Sequence, residues 1–233
     1  MSPSVADHLL VAVAALAAGG VNAVAGGGTL ISFPALVATG VGTKAANITN
    51  TVALCPGYFG GTVAQRKDLE SQRHRLPRFA VAAGLGGLTG SVLLLATSEA
   101  LFKKIVPFLI LTAVVLLTVQ DKLRPKNKPA VVGDPPPPGL RELLAIYFVS
   151  IYGGYFGAGL GIMVLALLGL LIDDLFTRLN ALKQGVSFVV NLCAAIFLSF
   201  SGKVQWSLAA VMAVAALTGG SIASTMIPRP APK

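Results

Sequence analysis

The sequence predicts an all-α protein, a polytopic membrane helix bundle built from two tandem repeats with glycine-broken helices. Three observations predict it. Apolar residues make up 55% of the chain and charged residues 12%, and the mean hydropathy of +0.78 lies far outside the range of soluble domains. Seven apolar stretches, near residues 6–40, 45–64, 77–97, 104–120, 141–171, 175–201 and 204–223, approach or exceed the roughly 20 residues a helix needs to cross hydrocarbon. One pattern also occurs twice. NAVAGGGTLISFPAL (22–36) followed by AANITN (45–50) is answered by GGYFGAGLGIMVLAL (153–167) followed by LNALKQ (179–184). Gly26 and Gly28 match Gly157 and Gly159, Asn47 matches Asn180, and LTG at 88–90 matches LTG at 217–219. A duplicated apolar chain with broken helices at matching positions predicts a secondary transporter whose site lies where the breaks meet.

The elements follow in order. The 6–40 stretch exceeds one straight crossing and contains the first glycines; it has no basic n-region and runs past any cleavage site, so no cleavable signal peptide is expected. The 45–64 helix carries Asn47, Asn50, Thr51 and Tyr58 on one face. A basic loop leads into two crossings, 77–97 and 104–120, and then DKLRPKNKPAVVGDPPPPG (121–139), too polar and proline-rich for a helix, serves as a linker. The second half repeats the plan with the broken stretch 141–171 and a helix at 175–201 whose polar face is Asn180, Lys183, Gln184, Ser187 and Asn191. The LTG offset of 129 would place a counterpart of the 104–120 helix near residue 233, and the tail STMIPRPAPK is no helix, so the second repeat is expected to lack its last crossing. The domains read as a first transmembrane repeat (1–120), a cytoplasmic linker (121–139) and a second transmembrane repeat (140–233).

The net charge of +9 is concentrated: Arg66, Lys67, Arg73, Arg75 and Arg78 sit in one short loop and Lys122, Arg124, Lys126, Lys128 and Arg141 in another, ten of the eighteen basic residues. Short basic loops mark the cytoplasmic side of a cell-membrane protein and argue against nucleic acid as the partner. Lys103 and Lys104 then fall on the far side. Charge placement alone gives parallel repeats; a re-entrant broken segment would change the parity and invert them. Cys55 and Cys193 are not equivalent under the repeat, so no disulfide is expected, and His8 and His74 are isolated, so neither a metal site nor a cofactor is expected.

Breaking a helix inside a membrane frees backbone N–H and C=O groups, tolerated only beside protein or a wet cavity. Half-helices starting at Gly26, Gly27 and Gly28, and at Gly157, Gly159 and Gly161, would aim N–H donors and helix-dipole charge inward, where an anion is the natural guest. Close packing through small residues is the alternative use of these glycines, and gluing helices together is the alternative use of the asparagines. Lys183 favours the anion, since an ammonium in a span costs on the order of 2.5–3.5 kcal/mol; snorkelling toward the interface is its alternative. No Asp, Glu or His lies mid-span, the glycine stretches lack a P-loop ending, and no nucleophile has a base, so no enzymatic or ATP-driven role is expected.

These motifs, together with AANITNTVAL, the following PG, Tyr58, GG and RKDL, and in the second half YGGYFGAGLGIM, LNALKQ and FLSFSGKVQW, resemble the TauE/SafE sulfite exporter family over about residues 10–224. The resemblance implies export or exchange of small inorganic or organosulfur anions, such as sulfite or organosulfonates, by a protein in the lipid bilayer. It carries the substrate site onto Asn22, Gly26, Gly27, Gly28, Asn47, Thr49 and Asn50, facing Tyr152, Gly157, Gly159, Asn180, Lys183 and Gln184. A passive anion channel and a non-transporting scaffold or truncated subunit remain alternatives. Whether the chain forms a homo-oligomer stays open.

Overall fold

The computed structural model describes residues 3–24, 26–123 and 137–225. Among them are ten helices and no strand: α1 (Val5–Val24), α2 (Thr29–Ala38), α3 (Thr43–Ala64), α4 (Arg66–Glu70), α5 (Leu76–Ala96), α6 (Glu99–Leu123), α7 (Leu140–Tyr155), α8 (Leu160–Leu171), α9 (Phe176–Ser199) and α10 (Trp206–Thr225). The all-α class therefore stands. Five of the helices, α1, α5, α6, α9 and α10, are long and apolar enough to cross a membrane. Most of the proline-rich linker and the tail that bears on a missing last helix lie outside the described residues. The short α4 inside the basic loop was not expected.

The two long apolar stretches do not cross as kinked rods. Each folds back on itself. α7 runs alongside α5 in the same direction, with Gly86 beside Tyr147 and Ser150 and Gly90 beside Ile151, and Tyr155 at its end meets Thr97 just past α5 (Oη to Oγ1 3.2 Å). α8 then returns, so that Asp174, just beyond it, is bound by Gln72 and Arg75 at the start of α5. α1 and α2 form the opposite hairpin: α1 lies along α10, with Gly19 against Ala216 and Gly20 against Ala223, and α2 ends a few residues before α3 begins.

This fold-back decides the topology. Lys44, in the first turn of α3, caps the end of α5 by donating to the carbonyls of Leu95 and Thr97. Gln65, just past α3, meets Asn180 near the start of α9, and the α9–α10 turn returns to α3 where the Gln205 N–H donates to Thr49 Oγ1 (3.0 Å). α3 and α9 are therefore antiparallel. The parallel relation expected from loop charge is corrected to an inverted one, because charge reports which ends share a side and is silent on whether an apolar stretch turns back.

Packing exchanges partners between the halves. α1 packs on α10 and α7 on α5, through glycines so close to the neighbouring backbone that any side chain would collide: Gly19 with Ala216, Gly219 with Leu16, Gly90 with Ile151, Gly154 with Gly87. Two groups result, α1–α2–α3–α10 and α5–α7–α8–α9, meeting along α3 and α9, where Phe59 and Phe188 lie 5.7 Å apart.

At the start of α5, Asp174 is buried (side chain 1% exposed) and accepts from Arg75 Nη1 at 3.1 Å and Gln72 Nε2 at 2.8 Å, with Arg178 Nη1 at 3.6 Å. Burial pushes the Arg75 guanidinium below its ordinary value, and the Asp174 carboxylate pulls it back. Removing one member of such a pair leaves an uncompensated charge, at a cost of about 3–5 kcal/mol, whereas removing both is far milder. Thermal unfolding in detergent should accordingly show a large loss for Asp174→Ala and substantial recovery in Asp174→Ala/Arg75→Met; a double variant no better than the single would refute the pairing.

Candidate functional site

The tip of the first hairpin is built by two polar contacts and a left-handed turn. Gly26 adopts φ +94°, its N–H donating to Val21 O at 2.9 Å. Asn22 Oδ1 accepts the N–H of Gly28, the residue that opens α2, at 2.7 Å, leaving Asn22 Nδ2 buried without a partner. The second tip uses Gly157 (φ +80°) and Gly159 (φ +75°). Tyr152 Oη donates to Ala158 O at 2.6 Å, clamping that turn.

The two tips touch. A side chain on Gly26 would strike the Gly161 backbone, in the first turn of α8. α6 backs both tips, with Leu117 beside Gly27 and Ala113 beside Gly159. The N-termini of α2 and α8, each with its partial positive charge, thus converge inside the bundle; most of their first-turn N–H groups are bonded locally, Leu30 to Gly27 O, Ile31 to Gly28 O, Leu160 to Gly157 O and Ile162 to Gly159 O. Gly26→Ala should combine left-handed strain with this collision and cost more than about 2 kcal/mol. Gly40, at φ +81° with nothing within 4 Å of a Cβ, isolates the strain alone; equal Tm losses for Gly26→Ala and Gly40→Ala would show that the tips do not pack as described.

Lys183 lies beside the first tip, fully buried (0% exposed). Its Nζ donates only to Ala23 O, at a long 3.4 Å, and among the described residues no carboxylate pairs with it. Snorkelling is thereby ruled out for this conformation. The rest of the α9 polar face is buried too: Asn180, Gln184, Ser187 and Asn191 are 2%, 0%, 0% and 6% exposed, and each keeps at least one polar atom without a hydrogen bond. Such orphans are uncommon in folded proteins and point to an absent water, ion or ligand.

The structure divides the residues expected to face one another. Asn22, Gly26, Gly27 and Gly28 gather with Lys183 through Ala23, and Gly157, Gly159 and Tyr152 form the apposed tip. Asn47, Thr49 and Asn50 do not join Lys183. Gln65 lies opposite Asn180 and Thr62 opposite Gln184, so about fifteen residues of helix, roughly 22 Å, separate Asn47 from the level of Lys183. Asn47 Nδ2 instead donates to Tyr155 O at 3.0 Å, Thr49 holds the Gln205 backbone, and Asn50 Oδ1 is buried without a partner. Asn180 Nδ2 donates to Gln65 Oε1 at 2.7 Å. Gln65 was missed because it stands at the polar mouth of an apolar helix and reads as the start of the basic loop.

Paired hairpins with helix N-termini meeting inside a bundle of spanning helices define an integral membrane protein of the transporter class. The chain belongs to the sulfite exporter TauE/SafE family, whose profile matches residues 11–233. Among curated proteins it is 28% identical to a probable membrane transporter protein of Haemophilus influenzae, over 89% of this chain and 80% of that one. It is 24% identical to the probable membrane transporter protein YfcA of Escherichia coli K12 (91% and 78% covered). It is 26% identical to the probable membrane transporter protein ORF9 of a Sinorhizobium species (94% and 83%). No solved structure matches. If the site takes a sulfur oxyanion, added sulfite should stabilise the wild type by about 2.7 kcal/mol at a hundredfold excess over Kd, and Lys183→Met should stay folded, with no lower Tm, and lose that stabilisation; a variant stabilised as strongly as the wild type would remove Lys183 from the site.

Proposed function

We propose that the protein is a secondary transporter of the cell membrane that exports or exchanges small sulfur-containing anions, sulfite or an organosulfonate, by alternating access. The observation that carries this reading is the buried, unpaired Lys183 ammonium beside two converging helix N-termini. An oxyanion supplies the missing counter-charge, and helix N–H groups replace its hydration. The family and its relatives' names support the transport class, and the family's name supports the sulfur oxyanion.

On this reading residues 1–120 and 140–233 are inverted repeats joined by the 121–139 linker, with the loops at 65–78 and 121–141 cytoplasmic. The exchanged packing of α1 on α10 and α7 on α5 supports the duplication. Each repeat lends a hairpin to one group and a helix to the other, and rocking along α3 and α9 would open the site to either side. Asn180 to Gln65 and Asn47 to Tyr155 O join the two groups by neutral bonds, while Lys44 on the carbonyls of Leu95 and Thr97 and Lys183 on Ala23 O join them by charge-assisted ones that the rocking has to exchange.

Proteoliposomes pre-loaded with unlabelled sulfite should take up labelled sulfite faster than empty ones. Uptake that is unsaturable and indifferent to internal sulfite would establish a channel and overturn the exchange mechanism.

A further inference from the structure

Beside Lys183 lies a set of polar atoms that the anion's charge does not account for. Gln184 is fully buried and Ser224 3% exposed, and neither the Gln184 amide nitrogen, its amide oxygen nor Ser224 Oγ has a hydrogen-bond partner. They come from different helices, α9 and α10, and converge on α3 at Gly61. A Cβ on Gly61 would run into the Gln184 amide and stand 3.3 Å from Ser224 Oγ. Gln184 and Ser224 thus meet against the bare backbone of residue 61, and a side chain there would displace them.

A chain of contacts links these groups to Lys183. Lys183 and Gln184 are consecutive, their Cα atoms about 3.8 Å apart. The lysine reaches Ala23 at the end of α1; α1 in turn touches α10 where Gly20 meets Ala223, the neighbour of Ser224. One amide and one hydroxyl offer donors and acceptors without net charge. That is the complement of a hydroxyl or amide, and a poor match for a second anionic group.

We propose that Gln184 and Ser224 form a neutral subsite that holds the uncharged, hydrogen-bonding end of an organic anion whose charged head sits at Lys183. This rests on Lys183 as the anion site and extends it: the preferred substrate is two-ended, an organic sulfonate with a polar tail, over a bare oxyanion.

The test uses purified full-length protein and a matched pair, 2-hydroxyethanesulfonate and ethanesulfonate, which differ by one hydroxyl. Wild type should bind the hydroxylated compound about tenfold more tightly, the scale of one hydrogen bond to buried neutral groups. Gln184→Met and Ser224→Ala should each erase that preference, and Ser224→Ala should leave ethanesulfonate affinity unchanged. Wild type showing no preference, or variants that keep it, would overturn the subsite. Should Gln184→Met fail to fold, Ser224→Ala removes a single oxygen and carries the test. Lys183→Met separates the two readings. Loss of both sulfonates together with a preference indifferent to Gln184 and Ser224 sinks the subsite alone, whereas undiminished binding of both sulfonates sinks the anion site beneath it.

Discussion

A lysine buried within the bundle without an acidic partner is the constraint around which this molecule is arranged. Among the described residues Lys183 has one long contact, to a backbone carbonyl, and no carboxylate pairs with it. The nearest buried carboxylate described, that of Asp174, is fully engaged by Arg75, Gln72, Arg178 and the Leu175 N–H. The Arg75–Asp174 pair fastens the start of α9 to the start of α5.

The hairpins answer the same constraint from the backbone side. Chain that turns inside a membrane exposes N–H groups that lipid cannot satisfy. At the first tip Asn22 takes the N–H of Gly28, and at the second Tyr152 holds the carbonyl of Ala158, while Leu30 N–H on Gly27 O and Leu160 N–H on Gly157 O close the first turns of α2 and α8. Fold-back also brings two helix N-termini together from opposite sides, which a pair of straight crossings could not do. Glycine at 26 permits both the left-handed turn and the contact with Gly161. Geometry and charge therefore favour the same kind of guest.

Much of this was legible in the sequence. Apolar length placed the helices, glycine placed the breaks, and helical spacing placed the polar faces of α3 and α9, because each is a local property. Direction was not local. A glycine break looks the same in a kinked crossing and in a hairpin, and only the ends of neighbouring helices, Lys44 at the carbonyls of Leu95 and Thr97 or Gln72 at Asp174, reveal which one formed. The same blindness grouped Asn47 and Asn50 with Lys183. Spacing shows that they occupy corresponding faces, but once α3 and α9 run antiparallel, corresponding positions lie at opposite ends. The Arg75–Asp174 pair joins residues 99 apart and had no signal at all.

The mismatch between corresponding positions bears on how such a site could work. Three residues beyond Asn47 stands Asn50; three beyond Asn180 stands Lys183. One end of the inverted pair thus carries a charge and the other an amide whose oxygen lacks a partner. A second ammonium would double the cost of an unpaired charge in the span and would hold a departing anion as firmly as the first. An anion leaving Lys183 along the α3–α9 seam would, on the proposed reading, pass Gln184, Ser187, Asn191 and then Asn50, neutral groups that can each replace some hydration, before it nears Lys44 in the first turn of α3. On the proposed reading, tight capture at one level and weak, distributed contact elsewhere is what lets a bound anion be released.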